Sequence, residues 1–193
     1  MKTIHAGFVC ITVLICLVMG GCAKPPTEEM NKAVEAVTRA ENDADAVMYA
    51  GNTLARALDA LKRMQSEADS KRYDAAKTYA AEAVTAAEKA IADGRAGAAR
   101  AREEAAALVA GLRPAIAETE QGISAARSAG LPLDFVNMGQ ELDGVRRSTD
   151  QAEVALAGDQ YQDALEKGRN ARAGLNDIDQ QLSSAVMAVS RKK

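Results

Sequence analysis

The chain contains no tryptophan, only two phenylalanines and four tyrosines, and a single histidine, His5. Beyond position five no imidazole is available. Nucleophilic triads, histidine-ligated zinc and imidazole acid/base catalysis are therefore excluded from the rest of the chain. So few large rings also leave little material for a wide globular core, because aromatic side chains bury the most area per residue. Only four prolines interrupt it, at Pro25, Pro26, Pro114 and Pro132, so long stretches are free to be helical. The formal charge is -3, without the basic excess of a nucleic-acid binder, and no nucleic acid partner is expected. The longest uncharged apolar run, residues 6–19, has 14 residues. A bilayer-spanning helix needs about 20.

What is present begins with that run. Preceded by Lys2, it has the length of a signal-peptide core. It leads into Leu17-Val18-Met19-Gly20-Gly21-Cys22, which resembles the lipobox of bacterial lipoproteins, in which small residues precede a cysteine that is acylated and becomes the new N-terminus. Met19 departs from the leucine usual three positions before the cysteine. The resemblance implies that residues 1–21 are a lipoprotein signal peptide, that Cys22 is the lipidation site, and that residues 22–27, with Pro25-Pro26, are a tether. The alternative is an ordinary secretory signal with a coincidental cysteine. Cys10 and Cys16 would leave with the leader, so no disulfide could form within the remaining chain. Each buried acyl CH₂ contributes about 0.8 kcal/mol and one chain binds only marginally, whereas the two or three chains of such lipoproteins hold a protein on a membrane. Ala23 stands where an aspartate would commonly mean inner-membrane retention. The resemblance thus implies an outer-membrane location, facing the periplasm.

After Cys22 alanine makes up about a quarter of the residues, among many Glu, Lys and Arg, a composition of strong helix formers. The expected fold is all-α, an elongated helical bundle with coiled-coil-like packing. Its helices are expected to form two tandem three-helix units, residues 28–112 and 113–193. Thr27 is expected to cap a first helix carrying Met30, Ala33, Val34, Val37, Ala40, Ala44 and Val47 on one face. A second helix follows from about Thr53 to Asp69. A third carries Tyr73, Ala76, Ala80, Ala83, Ala87, Ala90, Gly94, Ala98, Ala101, Ala105 and Leu108 at nearly heptad spacing. Small residues at those positions permit close approach of backbones, while Gly94 and Gly97 each weaken a helix interior by about 1 kcal/mol. Arg113-Pro114 predicts an internal boundary. A shorter helix with Ile116, Ile123 and Ala126 then runs to about Ala129. Residues 130–134 read as stop, loop and cap. Phe135, Met138, Leu142, Val145, Thr149, Ala152 and Leu156 mark the next helix. Asp159 with Gln162 has capping-box spacing for the last, which carries Tyr161, Ala164, Gly168, Ala171, Leu175, Ile178, Leu182, Ala185 and Val189.

Shifted by 88 residues, the chain superposes Pro26 on Pro114, Gly51 on Gly139, Leu54 on Leu142 and Tyr73 on Tyr161, which suggests a duplication. Residues 158–165 also look like the opening of a tetratricopeptide helix, and Tyr73-Asp74-Ala75-Ala76 is a fainter echo. With its lipobox, its alanine-rich helices and its two Tyr-x-x-Ala turns, the chain resembles a family of small bacterial lipoproteins carrying a helical domain of unknown function. In some relatives that domain accompanies an OmpA-like peptidoglycan-binding domain, which is lacking here. The resemblance implies envelope residence.

Among candidate sites, Glu41-Asn42-Asp43-Ala44-Asp45 is the densest acidic cluster. It lacks the glycine and terminal glutamate of a calcium loop and reads as a solvated helix face. Glu103 and Glu104 diverge by about 100° on a helix and cannot pair for acid/base work. Tyr73, Tyr79 and Tyr161 read as packing residues. Ser190-Arg191-Lys192-Lys193 places positive charge at a helix end, worth about 0.3–1 kcal/mol. The helical lipoprotein that tethers outer membrane to peptidoglycan also ends in a basic run with a crosslinked lysine, which makes Lys193 a candidate wall-attachment residue. Contact of the basic run with anionic headgroups is a third reading. The expectation is a membrane-anchored envelope lipoprotein acting as a non-catalytic structural or protein-interaction module, without metal or cofactor. The alternative is a tether from outer membrane to peptidoglycan through the basic terminus.

Overall fold

The computed structural model describes residues 24–191, and within them the chain forms α1 (Thr27–Asn42), α2 (Ala44–Tyr49), α3 (Gly51–Asp69), α4 (Tyr73–Ser128), α5 (Phe135–Ala157) and α6 (Tyr161–Ser190). No strand occurs among the described residues; the fold is all-α. The chain divides into two compact units, the first ending at Gly94 and the second beginning at Arg95, so α4 supplies helix to both.

In the first unit the core is largely alanine. Ala33, Ala36, Val37 and Ala40 of α1 and Ala46 of α2 pack with Leu54, Ala57, Ala60 and Met64 of α3 and with Ala80, Ala83, Ala87 and Ala90 of α4. A methyl group buries little surface, so stability here depends on many close contacts rather than a few large ones. The closest is at Gly94. A Cβ there would lie 2.5 Å from the Ala46 amide nitrogen and 2.6 Å from the Asp45 carbonyl carbon. Only glycine lets α4 approach the α2 backbone this closely. The Lys77 to Glu29 ion pair and the Gly94 to Ala46 contact show α1 and α4 running in the same direction. Thr53 donating to Asp93, and Arg63 over the Tyr79 ring, show α3 running against them.

The second unit repeats the up-down-up order with larger side chains. Leu112, Ile116 and Ile123 of α4, Met138, Leu142 and Val145 of α5, and Ala171, Leu175 and Ile178 of α6 form its core. Glycines again receive neighbours: a Cβ on Gly168 would lie 2.8 Å from Leu108 Cδ2, and one on Gly174 2.7 Å from Val145 Cγ2. Thr149 is fully buried, and its hydroxyl donates to the Val145 carbonyl at 2.9 Å, which removes the cost of burying it. Arg169 with Glu104 and Thr119 with Asp179 align α6 parallel to α4, while Arg113 reaches Asp150 and Glu153 of the antiparallel α5.

The two α-hairpins are closed by the same turn, 88 positions apart. Lys71 and Asp159 both have positive φ, 59° and 58°. The Arg72 amide donates to Glu67 O and the Lys71 amide to Ala68 O; Gln160 donates to Ala155 O and Asp159 to Leu156 O. This is the Schellman arrangement, which satisfies carbonyls left over at a helix end. Gly130, with φ 66°, makes the same turn after α4.

Several local expectations are overturned. Helix continues through Arg113-Pro114, where a helix end was expected; the first compact unit ends at Gly94. A proline inside a helix removes one hydrogen bond and costs about 3 kcal/mol. Here Leu112 and Ile116 are buried on either side of Pro114, and the Arg113 guanidinium grips Glu153 at 2.8 and 2.7 Å and Asp150 at 2.7 Å. The first helix is not continuous: Asp43 leaves helical geometry and its carboxylate caps α2 by accepting from the Ala46 amide at 2.9 Å. Thr27 lies inside α1, whose cap position is Pro26, and Asp159 lies in the turn, leaving the α6 cap position to Gln160. The buried stripe of α1 includes Ala36 and excludes Val34.

Candidate functional site

Both residues singled out for covalent chemistry, Cys22 and Lys193, lie outside the described residues, as does residues 1–21, the expected leader. What the structure describes is how the chain begins and ends around them. Pro26 is buried and its carbonyl accepts from the Met30 amide at 3.0 Å, while Thr27 donates to Pro25 O at 2.9 Å. The helical unit is therefore fixed from Pro26 onward. Four residue steps separate Cys22 from Pro26, a reach of about 13–14 Å at full extension. At the other end α6 is regular to Ser190, and the Arg191 amide donates to Met187 O at 3.1 Å.

The acidic cluster is used locally. Asp43 is a helix cap, Glu41 and Asn42 end α1, and Asp45 stands in the first turn of α2, favourable against the helix dipole. Among the described residues no group of three or more His, Cys, Asp or Glu could hold a metal ion. Tyr79 is partly buried under Arg63, and the Tyr161 hydroxyl donates to the Asp159 carboxylate at 2.6 Å. Glu104 pairs with Arg169 at 2.6 Å, away from any partnership with Glu103.

The shifted carboxylates and guanidiniums belong to surface ion pairs. Glu29 is held below its ordinary range first by a backbone hydrogen bond and then by Lys77. Arg72 lowers Glu67, and Arg113 lowers Glu153. In return the pairing raises Arg113, through Glu153 first and Asp150 second, and Arg146, through Glu120 first and Asp143 second. These groups are exposed and mutually compensated, which is the pattern of a helix surface laced by charge pairs rather than of a poised acid or base.

Concavities also occur along the helix surfaces, two of them bordered by small side chains of α4. One, of about 300 Å³, lies between α3 and α4 in the first unit, bordered by Thr53, Arg56, Thr85 and Lys89. The other, of about 410 Å³, lies between the last turns of α4 and α6 in the second unit and is mainly apolar. Sequence reasoning missed this second groove. Its signal was the run of small residues Gly122, Ala125, Ala126 and Ala129 on one side of α4, which leaves unfilled space beside Leu182 and Val186. No helix among the described residues is long and apolar enough to cross a membrane. Comparison with family models, with curated proteins and with solved structures returned no match.

Proposed function

We propose that this chain is a lipoprotein of a bacterial cell envelope, anchored through acylated Cys22, whose helical units act as a non-catalytic structural or protein-interaction module. The observation that carries the reading is residues 17–22, small residues before a cysteine behind an uncharged apolar run. The short reach from Cys22 to the buried Pro26 supports it. An anchor at Cys22 would keep the start of α1 within about 14 Å of the acyl attachment, so the first unit would stand at the membrane surface. Exposed Val47 and Met48 on α2, and Val136 and Val154 on α5, offer apolar points on otherwise charged helix faces to a protein partner. Ala23 favours the outer membrane and the periplasmic side.

The experiment is detergent phase partition of the protein from its own cells, comparing the native sequence with Cys22→Ser. The native chain is expected in the detergent phase. The variant, unable to be acylated, is expected to lose diacyl-dependent processing and migrate as the uncleaved precursor. A native chain found wholly in the aqueous phase refutes the anchor. In-cell crosslinking of the anchored chain, read by mass spectrometry, then identifies the protein it touches.

A further inference from the structure

A groove of about 420 Å³ lies between the last turns of α5 and the first turns of α6, with Val154 and Ala155 on its wall and Asp150, Asp163 and Lys167 at its rim. Val154 is 73% exposed, a large apolar side chain beside open space. In the first unit the corresponding place, 88 positions earlier, is covered. There Tyr79 packs on the core of its unit, and the Arg63 guanidinium lies 5.9 Å from the centre of its ring. The second unit has Lys167 and Gln151 at those two positions. Lys167 turns along its own helix to Asp163, and the seat that a tyrosine covers in the first unit stays open.

The surroundings of the groove are acidic. Residues 149–166 contain five carboxylates, Asp150, Glu153, Asp159, Asp163 and Glu166, and no Lys or Arg. Arg113 reaches Asp150 and Glu153, and Lys167 reaches Asp163, so two cations stand against five anions. Arg169 is paired with Glu104, and Arg147 extends beside Gly144, away from Val154. An apolar wall within an acidic rim fits a segment that carries both an aromatic ring and positive charge, the combination that Tyr79 and Arg63 supply in the first unit. We infer that the α5/α6 groove of the second unit is a docking site for a protein segment in which an aromatic side chain adjoins arginine or lysine. The ring covers Val154 and Ala155, and the flanking cations meet Asp150 and Asp163. A second copy of this chain is the poorer match, because Arg63 with Tyr79 and Arg127 with Phe135 are already engaged with each other. The inference deepens the interaction-module reading, on which it rests for its place in the cell.

The chain contains no tryptophan, so emission from the probe acetyl-Arg-Trp-Arg-amide reports the probe alone. Titrated with the full chain, its anisotropy is expected to rise to saturation, while that of acetyl-Glu-Trp-Glu-amide stays flat. Gln151→Arg with Lys167→Tyr rebuilds the first unit's pair inside the groove. This double variant should keep its helicity and urea midpoint and bind the probe about tenfold more weakly or worse. Asp150→Asn with Asp163→Asn should weaken binding about fivefold. No rise with the arginine probe, an equal rise with the glutamate probe, or full affinity in the Gln151→Arg, Lys167→Tyr chain overturns the inference. So does sedimentation that quickens with the chain's own concentration and is abolished by that same variant, which would identify a second copy as the occupant. Detergent phase partition reports the anchor separately: an anchored chain that does not bind the probe fails this inference alone, and a binding chain found in the aqueous phase fails the anchor alone.

Discussion

Gly94→Ala tests whether the first unit is held together by backbone contact. Alanine is the better helix former, by about 1 kcal/mol, and at an open position the change stabilises. At Gly94 the new Cβ would meet three backbone atoms, Ala46 N at 2.5 Å, Asp45 C at 2.6 Å and Ala46 Cα at 2.7 Å, where ordinary contact starts at 3.4 Å. None of them can rotate away. To make room α2 has to move, although Ala46 is fully buried and its amide is held by Asp43. Overpacking of this kind costs about 1–3 kcal/mol, and loss of the cap about 1 more, against the gain of about 1 in propensity. The expected net loss is about 2 kcal/mol. Gly111 and Gly139 lie in α4 and α5 with nothing within 4 Å of a built Cβ, so Gly111→Ala and Gly139→Ala should each stabilise by about 0.5–1 kcal/mol. Urea unfolding followed by circular dichroism separates the three, with a lower midpoint for Gly94→Ala and higher midpoints for the others. A midpoint raised by all three changes would refute the close α2 to α4 contact.

Lys71→Gly and Asp159→Gly each relieve a left-handed residue and should stabilise by a few tenths to about 1 kcal/mol, while Gly130→Ala should destabilise by about 1, all measured as urea midpoints. Pro114→Ala restores a helix donor inside α4 and should raise the thermal midpoint, with a gain of about 1 kcal/mol or more at equilibrium. Glu29, Glu67 and Glu153 have folded-state pKa values depressed below the usual 4.5, so their pairing stabilises the protein above that pH and is lost as pH falls through the depressed values. Thermal midpoints should accordingly be flat from about pH 6 to 8, fall in acid, and fall less in a Glu67→Gln, Glu153→Gln double variant.

The core was legible wherever spacing alone determines burial. Ala76, Ala80, Ala83, Ala87 and Ala90 are all buried at their three- and four-residue steps, as are Met138, Leu142, Val145, Thr149 and Ala152 on α5. Where one local signal opposed a tertiary one, the local signal misled. Pro114 argues for a helix end, yet buried Leu112 and Ile116 and the Arg113 ion pairs hold the helix across it. Asp159 has capping chemistry, but the turn from α5 needs a left-handed residue at that position, and the cap passes to Gln160. Gly94 was legible as a seam position and as a weak point for helix propensity; that it faces a peptide plane of α2 depends on the break at Asp43, which periodicity hides. The 88-residue correspondence extends to the backbone, in the paired left-handed turns at Lys71 and Asp159. The groove at the end of α4 and α6 is an unfilled space, and a pattern of side chains describes only what fills space. Cys22 and Lys193 are expected through resemblance alone, and both lie outside the described residues.

The most direct measurement is the intact mass of the protein extracted from its native membranes. Cleavage before Cys22 with thioether-linked diacylglycerol, with or without an amide-linked third chain, predicts the mass of the polypeptide from Cys22 onward plus one diacylglyceryl group, with or without one further acyl group. A mass equal to the unmodified polypeptide, cleaved or not, would contradict the account.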